Sequence, residues 1–199
     1  MNWYYKTITF LPERCDHEVL VAKCLSILHG FNYKYNTRSI GVSFPEWCDD
    51  TVGKKISFIS MSRIELDLLL KHQYFAQMRN LSYFDISTTN QVPDDCEYVS
   101  FIRNQSIDKS TPAGQTRKLR RLEKRAISRQ ELFTIPHIKQ RESIVLPHYH
   151  SIEINSQSKS SFFRLNIQMK AEQSLEGSST FSSYGLSNSE NSYQPVPFI

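Results

Sequence analysis

Glycine is scarce in this chain, with six in 199 residues and no two close together. Neither GxxxxGK[ST] nor GxGxxG is present, which excludes P-loop and Rossmann nucleotide chemistry. The four cysteines, Cys15, Cys24, Cys48 and Cys96, include no CxxC pair. They read as reduced thiols rather than a disulfide frame. No apolar run approaches the roughly 20 residues that span a bilayer, so a transmembrane helix and a membrane partner are excluded. The opening MNWYYKTITF has no basic region leading into an apolar stretch, so the expectation is a cytoplasmic protein. His148 and His150 form an HxH pair with no cysteine pair or acidic partner nearby in sequence, so no metal and no cofactor are expected.

What is present is ordinary globular composition, 39% hydrophobic and 22% charged, and one unusual charge distribution. The net charge is only +4. Residues 117–129 hold seven basic side chains and the single acid Glu123, a charge of +6 that leaves −2 for the other 186 residues. A focused basic patch on a near-neutral body points to a specific polyanion site more than to general adhesiveness.

The length suits one large domain or two small ones of about 100 residues. Residues 2–10 are aromatic and β-branched and predict a strand. Asp16 is a candidate N-cap for a helix with Leu20, Cys24, Ile27 and Leu28 at helical spacing, and Gly30 is the expected stop. Strands are expected at 39–44 and 55–60, the first ended by Pro45. Ser62 with Glu65 forms a capping box for a second helix carrying Ile64, Leu66, Leu69 and Leu70, and 81–87 closes the set as a strand. The order β-α-β-β-α-β is the ferredoxin-like unit. The polar stretch 88–96 is the expected boundary, so the chain divides into 1–95 and 96–199. The second half predicts a strand at 97–103, a helix starting at Thr111-Pro112, a polar loop at 155–161, and strands at 162–170 and 180–187. In 162–170, Phe163, Leu165, Ile167 and Met169 share one face, and Arg164, Asn166, Gln168 and Lys170 share a wet one. Residues 130–147 are loop or short helix, and the Pro-rich end is extended. The fold class is therefore α+β: a ferredoxin-like (RRM-like) domain, then an α+β domain with an Arg-rich helix.

At about 100° per residue, the basic side chains of 117–129 cover one half of that helix. Leu119, Leu122 and Ala126 fall on the other half, which would dock on the body. A solvated surface helix is the plain alternative. Against it, like charges three and four apart repel by a few tenths of a kcal/mol each, and phosphates would compensate them. A basic helix suits DNA's wide major groove, or an RNA hairpin short enough to open its groove near the end. Composition does not choose between these.

RNA cleavage needs few protein groups, because the 2′-hydroxyl is the nucleophile. His29, in the expected last turn of the first helix, would feel the helix dipole, which favours the cation. Ser156 and Ser158 lie in a polar loop and Tyr184 on an expected strand, where solubility and packing are the ordinary roles.

Several motifs fit together: His29, then RSIGVSFP at 38–45, IRNQ at 102–105, the Arg-rich helix at 117–125, SQSKSSFFRL at 156–165 and YGLS at 184–187. The series resembles the CRISPR type I-F endoribonucleases that process precursor CRISPR RNA, the Csy-type branch of the Cas-six family. The NSYQPVP ending at 191–197 is similar to the version carried by CRISPR-associated transposons. The resemblance implies a bacterial, metal-independent endoribonuclease that cuts at the base of a repeat hairpin. It leaves a 2′,3′-cyclic phosphate and a 5′-hydroxyl. It then stays on the hairpin as a subunit of the Cascade complex, beside the backbone and large-subunit proteins. A TniQ-like transposition adaptor is a further implied partner, with the tail 188–199 as a candidate surface. By the same resemblance His29 is the general base or proton shuttle, Ser156 fixes the ribose, and Ser158 and Tyr184 support that pocket. Arg103 and Gln105 would read base edges of the lower stem, and Phe163 would stack on the closing pair, with Phe162 as its neighbour on the opposite face. Arg117, Lys118, Arg120, Arg121, Lys124 and Arg125 would line the major groove. The alternative of a different class is a non-cleaving cap that binds the hairpin, and a third is a duplex DNA-binding protein.

Overall fold

The computed structural model describes residues 2–104, 107, 112–135, 148–156, 161–172, 180–187 and 194–199. It is an α+β fold with two antiparallel sheets. The first half contains β1 (Tyr4–Phe10), α1 (His17–Lys34), β2 (Gly41–Ser43), β3 (Lys55–Ser60), α2 (Arg63–Leu70), α3 (Gln73–Asn80), β4 (Phe84–Ile86) and β5 (Asn90–Gln91). The sheet order β2-β3-β1-β4, with every pairing antiparallel, is that of a ferredoxin-like unit, and β5 adds to β1. The second half contains β6 (Tyr98–Arg103), α4 (Pro112–Ser128), β7 (His150–Ser156), β8 (Ser161–Glu172) and β9 (Val196–Pro197). Its sheet runs β7-β8-β6-β9.

Helix α1 begins where the sequence places its cap, since the Asp16 carboxylate accepts the Val19 N–H at 3.2 Å. It does not stop at Gly30. It continues to Lys34, and Tyr35 closes it by donating its N–H to Phe31 O. A glycine inside a helix costs about 1 kcal/mol relative to alanine. The extra turn outweighs that cost because it buries Phe31 and Asn32. In α2, Ser62 Oγ accepts the Glu65 N–H, but the return half of the capping box is absent. The Glu65 carboxylate instead accepts from the hydroxyls of Thr37, Ser39 and Ser60. The helical stretch then breaks at Lys71 and restarts at α3, where His72 Nδ1 caps the Tyr74 N–H.

The two sheets share one apolar core. Phe44 of the first half meets Phe101 of β6 edge-on at 4.9 Å, and Trp47 approaches Phe101 at 5.4 Å. Helix α1 also packs against β7. The core therefore joins Leu25 and Leu28 of α1 to Ile152, Ile154 and Leu165 of the second sheet.

Three expectations for the second half are corrected. The wet face of β8 is covered, with Asn166 and Gln168 buried and only Arg164 and Lys170 exposed at its ends. Asn104 satisfies part of that face, donating its N–H to Asn166 O and its Nδ2 to Gln168 Oε1 at 2.7 Å. Residues 180–187 are not a strand. Ser182–Gly185 is a turn, closed by Gly185 N–H to Ser182 O at 2.9 Å, and only Ser187 bridges to Ile102. Gly185 takes φ +73°, which ends extended pairing.

Helix α4 runs as far as Ser128, and Thr111 lies outside the described residues. Its C-terminus is a Schellman motif with Gln130 at φ +58°, Gln130 N–H on Ile127 O and Glu131 N–H on Ala126 O. Leu119, Leu122 and Ala126 are its half-buried stripe, but among the described residues none joins the core. Docking is therefore shallower than the apolar half suggested.

Gly185 is the backbone position on which the turn depends. A Cβ there would stand 2.5 Å from Val42 Cγ2 and 2.7 Å from Leu28 Cδ2. Gly185→Ala is expected to destabilise by about 2–4 kcal/mol from backbone strain plus overpacking. Urea unfolding checks this, and a loss under ~0.5 kcal/mol would contradict it.

Candidate functional site

The site is assembled by α1 and the Ser182–Gly185 turn. Residues 29, 32 and 33 lie three and four apart, so they share one face of the helix. The turn presents its backbone and side chains to that face. Asn32 Nδ2 donates to Ser183 O at 3.0 Å, and His29 Nδ1 lies 2.8 Å from Ser183 Oγ. The imidazole of His29 stacks on the ring of Tyr184, with centroids 4.4 Å apart and planes inclined by 9°. Tyr33 meets His29 edge-on at 4.7 Å.

The rings extend into a row that crosses from the first half to the second. Arg38 lies over Tyr33 at 5.0 Å, and Phe163 of β8 meets Tyr184 edge-on at 6.1 Å. The guanidinium of Arg103, at the end of β6, lies over Phe163 at 5.7 Å. Two cations thus bracket four rings, with His29 inside the row. Arg38 is held firmly, since its Nη1 donates to Asn32 O and Thr37 O.

This environment reverses the expected protonation of His29. The sequence placed it in a last helical turn, where the dipole favours the cation. In the structure another turn comes after it, and partial burial, then the charge of Arg38, hold its pKa below the usual histidine value. A neutral imidazole can accept a proton. Burial raises the Tyr184 pKa, with the Arg103 charge working against it, so its phenol stays protonated at neutral pH and remains a donor.

The residues singled out from sequence are only partly gathered here. His29, Tyr184, Phe163 and Arg103 come together in the ring row. Ser156 ends β7, opposite Ser161 and two residues along from Ile154, which pairs with Phe163 across the ladder. The Ser156 side chain, Ser158 and Gln105 lie outside the described residues. Phe162 is 67% exposed and Phe163 half-buried, so only Phe163 joins the row. Arg117, Lys118, Arg120, Arg121, Lys124 and Arg125 are all exposed on α4. Sequence reasoning missed Ser183, Asn32 and Tyr33. Tyr33 stands four residues after His29, a legible signal once the helix runs past Gly30. Ser183 carried none.

Of the HxH pair, His150 has a packing role and His148 is exposed. His150 is buried at the start of β7, with Nε2 2.8 Å from Cys48 O and its ring edge-on to Trp47 at 4.4 Å. The Nε2 of His148 lies 3.3 Å from that of His150. Among the described residues no group of three histidine, cysteine or acidic side chains could hold a metal ion, and no helix is long and apolar enough to cross a membrane.

Arg38→Gln is expected to raise the His29 pKa, because the cation that opposes the imidazolium is gone. The value should stay under the ordinary ~6.5, because burial is the larger cause and remains. Arg38→Lys should change it little. NMR titration of the imidazole in the free protein checks the sign, and a fall in Arg38→Gln would contradict it.

Comparison with known proteins adds a family. No curated protein matches the chain. A solved structure described as a putative chlorite dismutase aligns over 85% of this chain and 78% of that one, at 11% identity and a TM-score of 0.29, too loose a likeness to inform fold or function. Residues 5–197, nearly the full length, match the family described as CRISPR-associated protein (Cas_Csy4). With the ferredoxin-like half, the basic helix and the histidine-centred row in place, the chain belongs to the Csy4 family of CRISPR-associated proteins, endoribonucleases that process CRISPR repeat RNA.

Proposed function

We propose that this chain is a metal-independent, hairpin-specific endoribonuclease of the type I-F system that stays bound to its product. The observation that carries the reading is the placement of His29 in a row of rings ending in two guanidiniums, where burial and Arg38 hold its pKa below the usual histidine value. Such a group can take a proton from a 2′-hydroxyl at neutral pH, while the cations attract the phosphate beside it.

In this mechanism the 2′-oxygen gives its proton to His29 and attacks the adjacent phosphorus. The bond from phosphorus to the 5′-oxygen breaks. The leaving oxygen takes up a proton returned by the imidazolium, giving a 5′-hydroxyl and a 2′,3′-cyclic phosphate. The nucleophile belongs to the RNA, so the chemistry needs no metal-bound water. Ser156 holds the ribose before the scissile phosphate, and Ser158 supports that pocket. Tyr184 keeps the imidazole plane fixed by stacking.

Recognition is assigned to other residues. Arg103 pairs with guanine O6 and N7 in the lower stem, and Gln105 with adenine N6 and N7. Phe163 stacks on the closing base pair and marks the end of the stem. The exposed basic side chains of α4 line the hairpin's major groove near its open end, where an A-form groove is accessible. The two halves, 1–95 and 96–199, then divide the work, the first supplying His29 and the second most of the RNA contacts. The product stays bound as the chain joins Cascade, and a transposon-borne version would offer its tail, 188–199, to a TniQ-like adaptor.

Cleavage of a labelled CRISPR-repeat hairpin in EDTA tests the chemistry. The wild type should cut, His29→Ala should lose about 10²–10⁴-fold in rate, and a 2′-deoxy sugar at the scissile site should abolish cutting. Tight binding without cutting by the wild type would favour the non-cleaving cap, and preference for duplex DNA over the hairpin would refute the family-based reading of the helix.

The helix makes a separate prediction. Arg120→Ala should weaken hairpin binding without moving the cut site, and should lower the slope of log affinity against log salt by about 1. Filter binding at several salt concentrations checks this, and an unchanged slope would remove Arg120 from the phosphate contacts.

A further inference from the structure

The closest polar contact of His29 is to a residue with no role in the mechanism so far. Its Nδ1 lies 2.8 Å from the hydroxyl oxygen of Ser183. The same serine is held a second time, because its carbonyl accepts from Asn32 Nδ2 at 3.0 Å and Asn32 is fully buried. Both anchors come from one face of α1, so the hydroxyl has little freedom to leave the imidazole. Among the described residues, nothing hydrogen-bonds Nε2 of His29.

A hydroxyl can donate or accept, so two arrangements fit this distance. In one, Ser183 Oγ–H donates to Nδ1 and the ring carries its proton on Nε2. In the other, Nδ1–H donates to Oγ and Nε2 is bare. The two respond differently to protonation of the ring. The first contact must then break and reverse, because both ring nitrogens carry hydrogen in the cation. The second survives unchanged and strengthens, because the donor becomes charged. A shuttle that gains and loses one proton per turnover is served by the second.

We infer that Ser183 is a positioning residue for this reaction: its hydroxyl accepts the Nδ1–H of His29 and so fixes the tautomer whose bare Nε2 receives the 2′-hydroxyl proton. The inference rests on the reading of His29 as the base. Stacking on Tyr184 sets the plane of the ring, and Ser183 sets its rotation within that plane and its proton. The other groups facing the imidazole are Tyr33 on its own helix and Arg38 ahead of β2, and neither hydrogen-bonds it. The ordinary alternative is that Ser183 only staples the turn to α1. That role falls to the carbonyl, which any residue at 183 supplies.

The test compares wild type, Ser183→Ala and Ser183→Thr by two measurements. The first is the ring ¹⁵N spectrum of His29 in the free protein, without RNA. The wild type and Ser183→Thr should show a protonated Nδ1 and a bare Nε2, and Ser183→Ala should shift toward the proton on Nε2. The second is single-turnover cleavage at saturating hairpin. Ser183→Ala should lose about ten- to a hundredfold in rate, the size usual for removing an orienting partner of a functional histidine. Its hairpin affinity should stay within about twofold, and Ser183→Thr should recover most of the rate. A Ser183→Ala protein with the wild-type ¹⁵N pattern and rate would overturn the inference. So would a rate loss that threonine fails to restore when its ring pattern is wild-type. A wild type that does not cleave would sink the base reading instead, and the ring spectrum would still decide the Ser183 contact.

Discussion

His29 and Asn32 reach one turn from one face of α1, and the site depends on that clamp. The turn brings Tyr184 under the imidazole, and Tyr184 brings Phe163 and Arg103 of the second sheet. Three conditions make it possible. α1 must run past Gly30, so that residue 32 is helical and buried. Gly185 must adopt positive φ, so that the chain can double back beside Val42 and Leu28. Phe181 must dock, with its N–H on Arg38 O, so that the segment meets the first half at the right height. The shared core between the sheets then serves the site as well as stability, because it fixes the relative position of histidine and arginine.

The electrostatics of the row contain a tension. A cation near a base lowers its affinity for protons, and Arg38 does this to His29. In the proposed reaction the same cation would attract the phosphate whose neighbouring hydroxyl is deprotonated. The first effect makes the imidazole a weaker base but keeps it neutral at pH 7. The second would operate on the phosphorane of the proposed reaction, where charge builds. A histidine at a helix terminus would reverse the balance, favouring the cation and leaving little free base. The additional turn of α1 therefore has a chemical consequence beyond packing.

The ferredoxin-like order was legible because its signals are local: the Asp16 cap, the Ser62 cap, and a first strand at 2–10 rich in β-branched and aromatic residues. The expectations that failed all required knowledge of what lies across space. Gly30 reads as a stop unless the burial of Phe31 and Asn32 is known. The polar face of β8 reads as wet unless its cover and Asn104 are known. Residues 180–187 read as a strand, but only Ser187 finds a bridge partner. Among site residues, His29, Phe163, Tyr184 and Arg103 carried a signal through the family resemblance. Ser183 carried none, because a serine in a serine-rich stretch looks like loop composition until its oxygen is seen beside an imidazole.

Helix α4 stands apart from this economy of contacts. Its apolar stripe is only half-buried and, among the described residues, outside the core, and it ends in its own Schellman motif. Most protein helices owe their stability to a buried face, and this one has little. Its like charges at i,i+3 and i,i+4 oppose it further, by roughly 0.2–0.5 kcal/mol per pair. A polyanion reverses that sign, since each phosphate neutralised removes repulsion and releases a counterion. In the proposed function the helix is therefore at its weakest in the free protein, and an RNA groove would strengthen it. The ring row has the opposite character, fixed by buried contacts before any RNA arrives. On that proposal, affinity would reside in an element strengthened by its ligand, and chemistry in one whose contacts are made beforehand.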